Sequence, residues 1–293
     1  MGQMLLVSTL YKKSIYKNRR VYYMKYKMIA LDLDGTLTNS KKEVSPRTRD
    51  LIIEIQKQGV IVALATGRPV QGAAPISKEL QLDVYGGYIL SFNGGIIKNC
   101  RTGEIIFQKN MPDELVPKLA EASYRYQIPI LTYKGDCIVT EDTTDYYVRL
   151  EAEINKLPVE ALENFAEQVN YPIPKCLMVA AGWQLEEIMP KMQEEFGDKV
   201  NIFRSEPFFM EITPLGVDKA QGLARLLEHT GVKREELICC GDGYNDLTMI
   251  KFAGLGVAME NAQKEVKEIA DVITLTNDDD GVAYIIEKYM KNR

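Results

Sequence analysis

Two aspartates two residues apart, Asp32 and Asp34, sit in the run 29–38, which reads IALDLDGTLT. Apolar residues lead into them, and Gly35 and Thr36 follow. Side chains two apart in a strand share a face. Both carboxylates therefore point the same way at the carboxyl end of a strand, where open α/β sheets place their ligands. Two carboxylates that close repel each other unless a cation or a shared proton relieves them. The pair and its glycine turn point to a divalent metal site. The competing reading is a strand ending in a solvated, Asp-rich turn, and the segment alone leaves both open.

Three further positions offer matching chemistry. Thr66 ends the run VIVALAT (60–66), ahead of Gly67, Arg68 and Pro69. A hydroxyl and adjacent backbone amides at a strand end can hold a phosphate oxygen. Lys219 follows the N-cap candidate Asp218 at the start of a helix. A cation in a first helical turn opposes the helix dipole, which makes most sense beside an anion. GDGYND (241–246) follows the apolar LICC and repeats the opening pattern. Asp242 could supply a third metal carboxylate. Asp246 and Asn245 could hold Lys219, metal waters and phosphate from behind. Taken singly, each has an ordinary structural reading as a turn, a solvated lysine or an N-capped helix.

Other chemistries are poorly supported. Gly254 and Gly256 lack the third glycine and the following helix of a dinucleotide site. No GxxxxGK[ST] run occurs, so there is no P-loop. The single histidine, His229, lies near a helix end and argues against a His-rich zinc centre or a Ser-His-Asp triad.

These residues need a scaffold, and the pattern supplies one. Short apolar runs alternate with amphipathic helices, as in a parallel sheet wrapped by helices. MIALDL (28–33), VIVALAT (60–66), YILS (88–91), ELICCGD (236–242) and LGVAM (255–259) read as its strands. After Pro112 the pattern becomes α+β, with a hairpin turning at Gly135-Asp136. The expected organisation is a Rossmann-like α/β core over 28–112 and 208–293, interrupted by an α+β insert over 113–207. PFFMEITP (207–214) is read as returning the chain to the core.

The chain has 293 residues, 46% of them hydrophobic and 26% charged, as ordinary globular proteins do. Its net charge of −5 is uneven. Residues 1–27 hold Lys12, Lys13, Lys17, Arg19, Arg20, Lys25 and Lys27 with no acid, so the remainder is more acidic than the total indicates. An acidic body argues against nucleic acid as a partner. In the leader the charges follow the short apolar stretch, the wrong order for a secretory signal. Residues 1–27 read as a disordered basic extension or a misassigned start, with Met24 or Met28 as the true one. No stretch approaches the ~20 apolar residues of a membrane helix. Five cysteines without CxxC spacing fit reduced thiols in the cytoplasm.

The order DxD, Thr, Lys, GDxxND along four strand ends resembles the haloacid dehalogenase-like (HAD) phosphatase superfamily. SFNGG (91–95), GDGYNDLTMI (241–250), GLGVAMENA (254–262) and NDDDGVAYIIEKY (277–289) are similar to its Cof-type branch, with a large inserted cap. FRSEPFFMEITPLGVDKAQGL (203–223) is most similar to the YidA-like sugar-phosphate phosphatases. The resemblance departs at Glu260, where the family often has glycine or aspartate. It implies a Mg²⁺-dependent phosphomonoester hydrolase acting on small phosphorylated metabolites, most of all sugar phosphates. Asp32 would be the nucleophile and Asp34 the acid/base. Mg²⁺ would be bound by Asp32, the Asp34 carbonyl and Asp242, with Asp246 behind. Phosphate would be held by Thr66, Gly67, Lys219 and Asn245, and substrate would meet Arg68, Asn93 and Gly94. A monomer or weak homodimer is expected. A phosphomutase or phosphotransferase shares this chemistry, and a non-catalytic metabolite-binding regulator shares the fold.

Overall fold

The computed structural model describes residues 25–291. The chain opens with β1 (Met28–Leu31), β2 (Ile61–Ala65), β3 (Tyr88–Ser91), β4 (Ile96–Asn99) and β5 (Ile105–Gln108). The first three are almost wholly buried, as apolar runs are when helices cover both sheet faces. The helix Pro46–Lys57 forms where local chemistry favours it. Ser45 caps it by accepting from the Thr48 N–H, and Pro46 occupies the first turn, where a missing N–H costs nothing. Its Leu51, Ile52 and Ile55 are buried.

A second sheet follows, built from β6 (Ile130–Lys134), β7 (Cys137–Thr140), β8 (Val159–Ala161), β9 (Cys176–Val179), β10 (Val200–Glu206) and β11 (Phe209–Pro214). Their order is β10-β11-β9-β6-β7-β8, antiparallel except where β7 meets β8. Strand alternation divides its side chains. Ile130, Cys176 and Met178 pack with Leu119, Leu185 and Met192 of covering helices. Leu131, Tyr133, Leu177 and Val179 form the other face with Phe92, Ile96 and Val148.

The chain then returns through β12 (Leu237–Gly241), β13 (Leu255–Ala258) and β14 (Val272–Ile273). These complete an eight-stranded sheet, β14-β13-β12-β1-β2-β3-β4-β5, parallel from β14 to β3. β1 lies between β2 and β12, with Leu31 level with both Leu64 and Cys240. Segments leaving these three strands therefore emerge side by side. That adjacency builds the site.

The structure corrects two boundaries. PFFMEITP was expected in the first domain, yet β11 pairs with β10 and β9 in the second sheet. A buried apolar strand fits either sheet by composition. The two-residue link Pro207-Phe208 folds it back on β10, so the return crossing comes after Pro214. Tyr26 and Lys27, assigned to the leader, belong to the fold: Tyr26 is buried and the Lys27 carbonyl accepts from Ile61. The rest of the expectation for the leader concerns residues 1–24, which lie outside the described residues. Among the described residues no helix is long and apolar enough to cross a membrane.

Candidate active site

Asp32 directly follows β1, Thr66 follows β2 and Asp242 follows β12. The Asp32 N–H donates to the Cys240 carbonyl at 3.0 Å, joining two of these strand ends. All three side chains line one cavity of about 460 Å³. Its opposite wall comes from the second sheet and the helix Tyr146–Asn155.

Lys219 reaches the same point from the first turn of the helix Lys219–Thr230, which Asp218 caps by accepting from the Gln221 N–H at 3.0 Å. Its buried ammonium donates to Asp32 Oδ1 and to Asp246 Oδ1, each at 2.5 Å. Burial alone would lower the lysine's pKa, but the Asp246 and Asp32 charges outweigh it and raise it. Lys219 stays charged. Burial drives the Asp32 carboxyl well above its ordinary range; Lys219 pulls it back, while Asp246, Asp242 and Asp34 add repulsion.

Asp242 is held by the Thr36 hydroxyl, which donates to its Oδ1 at 2.6 Å. Gly35, at φ +81°, packs so tightly that an added Cβ would lie 2.4 Å from Asp242 Oδ2. Only glycine allows both the turn and that approach. Burial is the main force pushing the Asp242 carboxyl up to about 6. Oxygens of Asp32, Asp242 and Asp246 lie within 4.8 Å of one another. Three crowded carboxylates beside one ammonium, all hard oxygen donors, fit a divalent cation. Asp246 plays a bracing part there. Its Oδ2 accepts from the Asp242 and Gly243 N–H groups at 2.9 Å each, its Oδ1 takes Lys219, and it does not line the cavity.

Asp34 is engaged differently. Arg68 contacts both its carboxylate oxygens, and Lys42 Nζ donates to Oδ1 at 2.7 Å. Burial pushes this carboxyl up, but Arg68 and then Lys42 overcome it and leave it below its usual value. Thr66 is buried, with its hydroxyl accepting from the Arg68 N–H at 3.1 Å. Gly67, Arg68 and Asn245 also line the cavity.

Two residues expected to meet substrate do not themselves line this cavity. Gly94 is buried at φ +91°, where an added Cβ would lie 2.8 Å from the Asp218 carbonyl. It lets the turn after β3 pack on the helix that carries Lys219, and it does not line the cavity. Asn93 accepts from Asn245 Nδ2 at 3.1 Å and lines a neighbouring cavity instead. Sequence reasoning missed Lys42, Thr36 and the cap-side residues Glu151, Lys175 and Glu211. Thr36 was legible as part of DGT. The others read locally as ordinary solvated charges.

A carboxylate-rich pocket at the carboxyl ends of a doubly wound sheet, roofed by an inserted α+β domain, defines a class of phosphoryl-transfer enzymes. The chain belongs to the haloacid dehalogenase-like hydrolase family, whose profile matches residues 29–286, and it is a phosphatase of that family. A haloacid dehalogenase-like hydrolase of Bacteroides thetaiotaomicron is 50% identical, with a TM-score of 0.86 over 90% of this chain and 99% of that one. The 5-amino-6-(5-phospho-D-ribitylamino)uracil phosphatase YcsE of Bacillus subtilis is 30% identical over 90% of this chain and 96% of its own. The HAD subclass IIB sugar phosphatase BT4131 is 25% identical, with a TM-score of 0.77 over 90% of this chain and 98% of that one.

Proposed function

We propose that this phosphatase hydrolyses the phosphate ester of a small polyhydroxylated metabolite, of the sugar-phosphate kind, through an aspartyl-phosphate on Asp32. The observation that carries the reading is the Lys219–Asp32 contact at 2.5 Å, which fixes one oxygen of a carboxylate that lines the cavity. An Asp32 oxygen attacks phosphorus and the bond to the leaving oxygen breaks, splitting one difficult displacement into two. Asp34 gives the leaving oxygen its proton and then takes one from the water that cleaves the phosphoenzyme. Because Arg68 and Lys42 favour ionised Asp34, their transfer to phosphoryl oxygens would free it to hold a proton. Thr66, Gly67 and Asn245 line the cavity beside Asp32, and Lys219 places its positive charge behind that carboxylate, where both can offset charge developing on the phosphoryl group. Mg²⁺ would be held by Asp32, the Asp34 carbonyl and Asp242, and would supply positive charge beside the phosphoryl oxygens when bound.

The names of two relatives support the substrate class: one is a phosphatase of a phosphoribityl compound and the other a sugar phosphatase. The test is phosphate release from a panel of sugar, alditol and nucleoside monophosphates, with and without Mg²⁺. Free phosphate from sugar or alditol esters is expected. An isomerised sugar phosphate in its place would make the protein a mutase, and no turnover of any ester would end the reading.

A further inference from the structure

The roof of the cavity carries a charged network that the phosphoryl chemistry leaves unused. Lys175, beside the start of β9, and Glu211, on β11, are 2% and 4% exposed, and Lys175 Nζ donates to Glu211 Oε2 at 2.8 Å. Ser205 donates to the other Glu211 oxygen at 2.9 Å. Glu151, 6% exposed on the helix Tyr146–Asn155, accepts from Tyr133 and from Asn155 Nδ2, both on Oε1. Among the described residues no hydrogen bond reaches Glu151 Oε2, and the buried Asn155 Oδ1 has no partner. Lys175 spends one of its three donors on Glu211, and its ammonium lies 5.4 Å from the Tyr133 ring. Lys175, Glu211, Glu151, Asn155 and Ser205 all line the cavity that holds Asp32.

A buried ion pair is a poor stabiliser, because desolvation offsets most of the attraction. Spare donors on Lys175 beside a spare acceptor on Glu151 match hydroxyl groups, which both give and take hydrogen bonds. The roof is also acidic. In the roof itself Glu151, Glu186, Glu206 and Glu211 outnumber Lys175 and Arg204, while Lys42 and Arg68 lie on the Asp34 side of the cavity, where Lys42 also acts on Glu206. A second phosphate would meet this wall unfavourably, since like charges brought together without water repel.

We propose that Lys175, Glu151 and Glu211 read the hydroxyl-bearing end of the substrate remote from its phosphate, and reject substrates with a second anionic group there. Asn155 and Ser205 act as positioning residues for the two glutamates. This rests on the hydrolase reading above and names its specificity determinants.

The experiment compares kcat/KM for the best sugar or alditol monophosphate of a panel, its bisphosphate, and n-hexyl phosphate, which lacks hydroxyls. The wild-type protein is expected to favour the monophosphate at least about tenfold over each of the others. Glu151→Gln keeps the shape and removes the charge. It is expected to narrow the monophosphate-to-bisphosphate ratio by about tenfold, chiefly through KM. A parallel loss on all three substrates would mark a purely structural role and overturn the proposal. So would a wild-type protein that treats the three alike, a result that needs no variant to fold. Absence of turnover on p-nitrophenyl phosphate as well would instead remove the hydrolase reading, and this proposal with it.

Discussion

Arg68 holds Asp34 with two nitrogens at once: Nε lies 2.7 Å from Oδ2 and Nη2 lies 2.6 Å from Oδ1. Such a fork fixes the carboxylate in direction as well as charge, and lysine cannot reproduce it. The residue proposed as proton donor therefore rests in its ionised form.

Arg68→Lys should loosen that grip. Asp34, held below its ordinary value by Arg68 and Lys42 against burial, would titrate at higher pH in the variant. Because the protonated form serves the leaving group, the high-pH fall of kcat/KM should move upward. A pH–rate profile with a sugar or alditol monophosphate, whose poor alkoxide leaving group needs the proton, checks this, and an unmoved limb would separate Arg68 from the protonation of Asp34.

Asp32→Asn removes the nucleophile and keeps the side chain's size. Turnover should fall by at least ~10³-fold while the thermal transition stays cooperative. Residual turnover near the wild-type rate would show that another group attacks phosphorus.

Lys219→Met would leave Asp32 and Asp246 facing each other without their shared cation. Stranding buried charge in this way costs about 3–5 kcal/mol. Urea unfolding should show the loss, and adding Asp246→Asn to the variant should restore part of it. If the double variant is no more stable than the single one, the Lys219–Asp246 contact is not what Lys219 neutralises.

Mg²⁺ should stabilise the fold in a pH-dependent way. The Asp242 carboxyl titrates near 6 in the fold against an ordinary 3.8, so between those values the folded protein holds a proton that the unfolded chain has lost. Protonation at Asp242 thus favours the metal-free fold as pH falls, and the metal must displace that proton. The rise in Tm on adding Mg²⁺ should be clear at about pH 7.5 and largely gone at about pH 5. Calorimetric or dye-based melting measures it, and a shift independent of pH would count against Asp242 as a ligand.

Local chemistry makes much of this protein readable from its sequence. The β-branched and leucine-rich runs announced buried strands, Asp218 marked a helix start, and IALDLDGTLT with GDGYND announced carboxylates at strand ends. Those signals depend on neighbours within a few residues, so the chain states them outright. What the tertiary structure decided depends on partners far along the chain. The order of strands places Asp32 beside Asp242, 210 positions later. Gly35 is glycine because Asp242 packs on it, and Gly94 because Asp218 does. β11 went to the second sheet because a two-residue turn lays it against β10, a choice its apolar composition left open. Lys42 on Asp34, and Lys175, Glu211 and Glu151 in the roof, look in sequence like any solvated charges. Burial against distant elements gives them their partners, and burial has no signature in a single charged residue.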